Sequence, residues 1–531
     1  MTGLPHTQSP QAQLPHVYPT VVHMLAEAAQ IAPQREAVVC EGERLNYGEY
    51  QRCVAWFAHE LIELGAGGGR VGIVLGNSID ICVAVFAIHA ARAQAVPINP
   101  AYTERELRHI LQDADVQVVI YSDDKRDLVE MLAADLRIPH RIRIAGDSRR
   151  LTEWRSAADR ALPQPMPQPE DFATLQYTGG TTGRAKGVNL THKTVASNIS
   201  QREAMLPARK DMERLLCVMP LFHIYAVAMC LHNMAYARGT LVILPRYTPE
   251  AVFEIVPQEH ITIFAGSPTL FIGLLGHPKF PQTDFSSLHL SYSGSAALPE
   301  ELFKRWQTAT GAPVMEGYGQ SESGPVLSFN PLHGERKCGS VGLPLPETRI
   351  EIVDLEEGTR VLPVGEKGEI RVQGPQVMSG YRNLPKETAE TLRNGWLYTG
   401  DIGEFDADGY LYIRDRKKEM AKVSGFNVFP REIEEVLFQH PAVREAAVVA
   451  VPDDYRGEVV KAYVVPHQAD SVTVAQLAAH CQANLAKYKW PASIDLVTEL
   501  PKTGVGKIDK NRLREKPKAD LDQAQGIGSA R

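Results

Sequence analysis

Eleven residues, Tyr177-Thr178-Gly179-Gly180-Thr181-Thr182-Gly183-Arg184-Ala185-Lys186-Gly187, constrain this chain more than any other stretch. Four glycines let the backbone approach an anion and reach positive φ, three threonine hydroxyls can donate, and two cations neutralise charge. Such a loop reads as a triphosphate cradle. A Walker A loop is disfavoured, because Ala185 precedes Lys186 and Gly187 follows it, so the hydroxyl that would hold magnesium is missing. A flexible linker is disfavoured as well. Linkers favour Gly, Ser and Pro, whereas this loop pairs two threonines, spaces a lysine, and follows an apolar strand-like lead-in from Phe172 to Tyr177.

Around this loop the chain alternates strand and helix. Helical spacing covers Val21 to Ile31 and Tyr47 to Leu64; Arg70 to Leu75 reads as a strand, Ile79 to Ala93 as a buried helix, and Ala95 to Ile98 as a strand. Thr103 and Glu106 form a capping box for a helix that buries Leu107, Ile110 and Leu111, and the strand Val116 to Tyr121 follows. Gly65 to Gly69 precedes its strand instead of following one, so it is a helix-to-strand turn and not a dinucleotide loop. Past a proline-rich connector (Pro163, Pro165, Pro167, Pro169) and the phosphate loop, the spacing predicts a helix over Val188 to Gln201. A strand over Leu215 to Met219, a helix over His223 to Tyr236 and a strand over Ile261 to Gly266 come next.

From about Arg349 short alternating strands separated by Gly, Pro and acidic turns indicate a barrel-like subdomain. At 531 residues at least two domains are expected. The boundary is placed near Asp415, where charge concentrates, giving an N-terminal domain over 1–414 and a compact unit over 415–531. The expected fold class is α/β: a large domain of parallel and mixed sheets layered with helices, a β-barrel-like subdomain, and a small α+β C-terminal domain.

Composition excludes several functions. A net charge of -7, from 56 basic against 63 acidic residues, argues against nucleic acid as the main partner. The 7 cysteines are scattered without C-x-x-C spacing, so neither a zinc site nor a disulfide framework is suggested and a reducing cytosol fits best. No signal peptide is visible. The most apolar window, Ile79 to Ile98, is interrupted by Asp80, His89, Arg92 and Gln94 and reads as buried structure instead of a membrane span. Peripheral contact with the inner membrane and a homodimer stay open.

Other stretches carry candidate chemistry. Gly317, Tyr318, Gly319, Ser321 and Glu322 place a ring that can stack on adenine, a hydroxyl, and a carboxylate suited to magnesium in one short loop. Asn394 to Gly403, followed by Asp408 to Lys418, supplies Asp401 and Arg416, a carboxylate and a guanidinium of the kind that bind ribose hydroxyls. Gly425 would let the backbone pass close to a thin ligand, and reads almost equally well as a strand-to-helix turn. Lys507 sits on a glycine-flanked loop near the terminus, and His223 lies at a strand–helix junction, where a structural role and a role in the site are equally weighted.

These stretches resemble, in order, the motifs of the adenylate-forming superfamily, which includes acyl-CoA synthetases, firefly luciferase and peptide-synthetase adenylation domains. The loop matches Tyr/Phe-Thr-Ser-Gly-Thr-Thr-Gly-x-Pro-Lys-Gly, with Gly179 for Ser and Ala185 for Pro, as in bacterial long-chain fatty-acid CoA ligases. The resemblance implies an ATP-dependent ligase that joins a fatty acid to CoA through an acyl-adenylate. The alternatives are an aryl-acid CoA ligase, an enzyme loading a carrier protein, or a nucleotide-binding scaffold that has lost catalysis.

It further implies that Tyr177, Thr178, Gly179, Gly180, Thr182, Gly183 and Lys186 hold phosphates, and that Thr181 and Glu322 share magnesium. Asp401 and Arg416 would take the ribose, Lys418 would be the hinge of a C-terminal lid, Gly425 would border the pantetheine tunnel, Lys507 would supply the catalytic cation, and His223 would serve the carboxylate side.

Overall fold

Strand and helix alternate through the first half, as the sequence pattern requires, in a computed structural model that describes residues 14–145, 149–178, 185–294, 300–453, 455–468, 471–503 and 507–514. Among these residues a seven-stranded sheet runs Gly380–Tyr381, Lys186–Thr191, Phe172–Thr178, Gln94–Pro97, Arg70–Val74, Val118–Ser122, His140–Ile144. From Phe172–Thr178 to His140–Ile144 the neighbours are parallel, and the two strands at the other edge pair antiparallel. A second sheet, nine-stranded among the described residues, carries Val314–Gly319, Leu290–Ser293, Ile263–Gly266 and Arg214–Cys217 side by side. Every residue of the helix Ile79–Ala90 is buried, because it lies between these two sheets. That placement accounts for its largely apolar character without a membrane, and no helix among the described residues is long and apolar enough to cross one.

The capping box holds, with the Thr103 N–H donating to Glu106 Oε2 at 2.8 Å and Leu107, Ile110 and Leu111 buried beneath. The helix expected over Val188 to Gln201 starts later. Lys186–Thr191 is a strand whose Val188 and Leu190 are buried at period two, and Thr191 caps the helix His192–Met205 by accepting from the Thr194 N–H at 3.1 Å. The helix expected from His223 begins at Ile224, with His223 as its cap, and widens into a π-helical turn over Val227–His232. The third sheet is antiparallel, built from Arg349–Val353, Gly368–Gln373, Trp396–Phe405 and Leu411–Arg416 around its own core. The C-terminal unit has a fourth sheet, from Ala421–Val423 to Ser493–Leu496, covered by the helices Pro430–Phe438 and Val474–Asn484. All 7 cysteines are free.

Three histidines meet where the helix Ile79–Ala90, the helix His192–Met205 and the π turn converge. The His89 ring lies 5.1 Å from His192 and 6.1 Å from His232, and no ring nitrogen of the three has a hydrogen-bond partner among the described residues. Burial pulls His89 down to about 4 and drives the other two well below the usual range. A folded value below the unfolded 6.5 means that this stability is fully present above 6.5 and is lost as pH falls toward about 4. For His89 alone the loss is on the order of 3 kcal/mol. Urea unfolding between pH 7 and 4 should show that decline, with a shallower slope in His89→Leu; equal slopes would contradict it.

Candidate active site

The hairpin Phe172–Thr178 and Lys186–Thr191 pairs Thr178 with Lys186, so the phosphate loop is the connection between two hydrogen-bonded strands. Gly179, Gly180, Thr181, Thr182 and Gly183 lie outside the described residues. Tyr177 anchors the near side: its ring is buried in the core and its hydroxyl donates to Asp113 Oδ2 at 2.6 Å, with burial and then Asp113 pushing the phenol up. Thr178, half-buried, ends the strand. On the far side the Lys186 ammonium sits 5.1 Å over the Tyr381 ring, and the Tyr381 hydroxyl donates to Glu322 Oε1 at 2.8 Å. Lys186, Tyr381 and Glu322 therefore form one row, a cation and a carboxylate separated by a phenol.

Glu322 lies in the single 3₁₀ turn Ser321–Ser323, which Ser321 opens. Gly317 and Gly319 precede it where side chains have no room: a Cβ on Gly317 would come 2.4 Å from the Phe329 ring, and one on Gly319 1.8 Å from the Pro325 carbonyl. Between them Tyr318 donates to Asp401 Oδ2 at 2.6 Å. Asp401 is 5% exposed and its other oxygen lies 3.2 Å from Arg416 Nε, the residue directly across the antiparallel pair. A nearly buried carboxylate thus has a neutral donor on one oxygen and a half-exposed guanidinium on the other.

Lys507 joins this group from the C-terminal unit. Desolvation pulls its ammonium down to about 8, with Arg416 adding to the shift and Asp401 opposing it. His223 is pulled down to about 4 by burial and, secondarily, by the Lys507 charge. Lys507 is thus within electrostatic reach of Arg416, Asp401 and His223, and His223 Nδ1 also accepts from the Tyr225 N–H at 3.3 Å as a helix cap. The Lys507 loop is closed on itself, its carbonyl accepting from the Thr503 N–H at 2.7 Å.

Lys418 sits in the turn joining the units. Before it, the Lys417 ammonium binds Glu369 at 2.7 Å and its N–H donates to the Gly400 carbonyl at 2.9 Å; after it, Glu419 pairs with Arg514 of the C-terminal helix. Lys418 itself keeps much of its surface, and partial desolvation, then Arg416, pulls it down to about 8. Gly425 is elsewhere. It occupies an exposed hairpin tip at φ +86°, where nothing lies within 4 Å of a Cβ position among the described residues.

The structure thus forms two groups, Lys186 with Tyr381 and Glu322, and Tyr318 with Asp401 and Arg416, the second within electrostatic reach of Lys507, which in turn reaches His223; Gly425 stands apart. Tyr381 and Asp113 were not singled out in the sequence. Tyr381 follows a single glycine on a two-residue edge strand, Gly380–Tyr381, and only the fold places it between Lys186 and Glu322. Glu322 offers hard oxygens suited to magnesium, and an ion that accompanies a nucleotide needs only one or two carboxylates besides the phosphates.

Residues 25–382 match the family described as AMP-binding enzyme, and residues 432–507 its C-terminal domain. A long-chain-fatty-acid–CoA ligase of Bacillus subtilis (strain 168) is 36% identical, covering 94% of this chain and 96% of that protein. A feruloyl-CoA synthase of Amycolatopsis sp is also 36% identical, over 92% of this chain and 97% of its own length. The crystal structure of the anthranilate CoA ligase AuaEII in complex with anthranoyl-AMP superposes with a TM-score of 0.89 at 29% identity, covering 97% of this chain and all 100% of that one.

Competitive acetylation across pH should find Lys507 ionising near about 8. Asp401→Asn withdraws a negative neighbour and should lower it further. A Lys507 that titrates as an ordinary lysine would contradict this geometry.

Proposed function

The chain belongs to the AMP-binding enzyme family, and from that premise we propose that it joins a fatty acid to CoA at the expense of ATP. The observation that supports the reading is that Lys507, from the C-terminal unit, lies within electrostatic reach of the Asp401–Arg416 pair and of His223. A carboxylate is a poor electrophile. Its oxygen attacks the α-phosphate of ATP, the bond to pyrophosphate breaks, and a mixed anhydride with AMP forms; the CoA thiol then attacks the acyl carbon and AMP leaves.

Catalysis of the first step is positioning and charge neutralisation. The loop from Thr178 to Lys186, with Lys186 steadied by Tyr381, would hold the phosphates. Asp401 has the acceptor capacity for both ribose hydroxyls, Arg416 would donate beside it, and Tyr318 would face the adenine. Lys507, partly desolvated, would neutralise the charge that builds on the α-phosphate. His223, held neutral, would line the carboxylate side. Glu322 and Thr181 would hold magnesium, which supplies neutralisation of the phosphate charge.

The unit beyond 415 is read as a lid with Lys418 as its pivot. Lys507 would serve the phosphates from its present position, whereas the Gly425 hairpin would have to approach the thiol's path afterwards. The turn suits a pivot, because Lys417 is pinned to one unit and Glu419 to the other.

With ATP, magnesium, CoA and a fatty acid, the products should be acyl-CoA, AMP and pyrophosphate; ADP and phosphate would overturn the reading. Lys507→Ala should slow acyl-adenylate formation by about 100- to 1000-fold, yet transfer the acyl group from preformed adenylate to CoA; equal losses in both steps would refute its role. In Lys418→Pro, where φ is fixed near the proline value, thioester formation should suffer far more than adenylation. Wild-type rates for both steps in that variant would show that no pivot operates there.

A further inference from the structure

Asp401 lies where the third sheet departs from its register. Glu369 pairs with Ile402 and Arg371 with Tyr398, so the strand Gly368–Gln373 advances two residues while Trp396–Phe405 advances four. The excess is a bulge at Thr399, Gly400 and Asp401, with Gly400 at φ +71°. The opposite ladder slips as well, since Ile402 pairs with Asp415 yet Gly403 pairs with Ile413. Bulges re-aim side chains, and with the pairing irregular on both flanks the ladder bonds alone do not set where the Asp401 carboxylate points.

Two side-chain arrangements hold the bulge instead. The Thr399 hydroxyl donates to the Ile370 carbonyl at 2.9 Å, in place of a ladder bond, and accepts from the Asp401 N–H at 3.1 Å. Lys417 closes a strap from the other side. Its N–H donates to the Gly400 carbonyl at 2.9 Å, and its ammonium binds Glu369 Oε2 at 2.7 Å. Lys417 follows the strand Leu411–Arg416 and Glu369 belongs to Gly368–Gln373, with the bulged strand between them, so the strap ties together the two strands that flank the bulge. The Glu369 side chain is 5% exposed and that of Lys417 37%. A buried carboxylate needs a cation, and Lys417 is its one ion-pair partner among the described residues.

We propose that Glu369 is a positioning residue for the nucleotide: through Lys417 it clamps the bulge, with Thr399 as the opposing anchor, and so aims the Asp401–Arg416 pair at the ribose hydroxyls. The proposal rests on the ligase reading above, in which that pair takes the ribose. The role is indirect, because Glu369 holds Lys417, Lys417 holds Gly400, and Gly400 carries Asp401. A loosened strap should therefore cost affinity only where the ribose has hydroxyls to lose.

The test is the dissociation constant of ATP with magnesium against that of the dideoxy analogue lacking both ribose hydroxyls, by calorimetry on the full chain, in wild type, Glu369→Gln, Lys417→Gln and Lys417→Arg. Neutralising Glu369 strands no buried charge, since Lys417 can turn to water, and Lys417→Gln breaks the same tie from its exposed end; thermal melting checks each fold. Wild type should bind ATP about tenfold or more tighter than the analogue, and both glutamine variants should weaken ATP by about fivefold to tenfold while changing the analogue by less than about twofold. Lys417→Arg, which keeps the charge, should hold the wild-type ratio. Equal weakening of both nucleotides, or unchanged affinity for ATP in the glutamine variants, overturns the positioning role. A wild type that binds both nucleotides alike overturns it together with the ribose assignment of Asp401. The ligase reading fails separately, if no AMP forms from any acid.

Discussion

A nearly buried carboxylate must find partners or lose its charge, and Asp401 finds them in Tyr318 and Arg416. Tyr318 comes from the end of a parallel strand in the second sheet and Arg416 from the neighbouring strand of the third, while Lys507 of the C-terminal unit lies within electrostatic reach of both charges. The same arrangement leaves a cation of lowered pKa beside a carboxylate and a guanidinium, a place where phosphate charge can be met without a large rearrangement.

By the proposed reading, that arrangement serves one step and not the other. While Lys507 is in the cluster, the Gly425 hairpin stands exposed, and Phe426 beside it is 56% exposed and stacked on Tyr488. Under that reading a single rigid placement cannot serve both ends of the C-terminal unit. The ion pairs flanking Lys418 hold Lys417 to Glu369 and Glu419 to Arg514, which is the arrangement the proposed pivot would need.

Much of this was legible in the sequence because it rests on local chemistry. The capping box at Thr103, the glycine turn at 65 to 69, the parallel alternation and the antiparallel strands after Arg349 each follow from residues within a few positions of one another. The misplaced helix start at Val188 shows the limit: Val188 and Leu190 suit a strand or a helix equally until a partner strand exists, and Phe172–Thr178 supplies it. The π turn over Val227–His232 and the histidine cluster have no local signature. Tyr381 and Asp113 were hidden for the same reason, since their partners are distant in sequence and met only through the fold. The site residues that came together were those carried on motifs, while the side chains that support them belong to the tertiary fold.

The central claim is that the pose described here is the one that makes the acyl-adenylate, with the Gly425 hairpin held out of the way. Exchange of labelled pyrophosphate into ATP, measured without CoA in wild type and in Gly425→Leu, tests it most directly. The account predicts exchange that requires the carboxylic acid, does not require CoA, and persists in Gly425→Leu while thioester formation is lost. Exchange that depends on CoA, or that disappears with the Gly425 substitution, would contradict it.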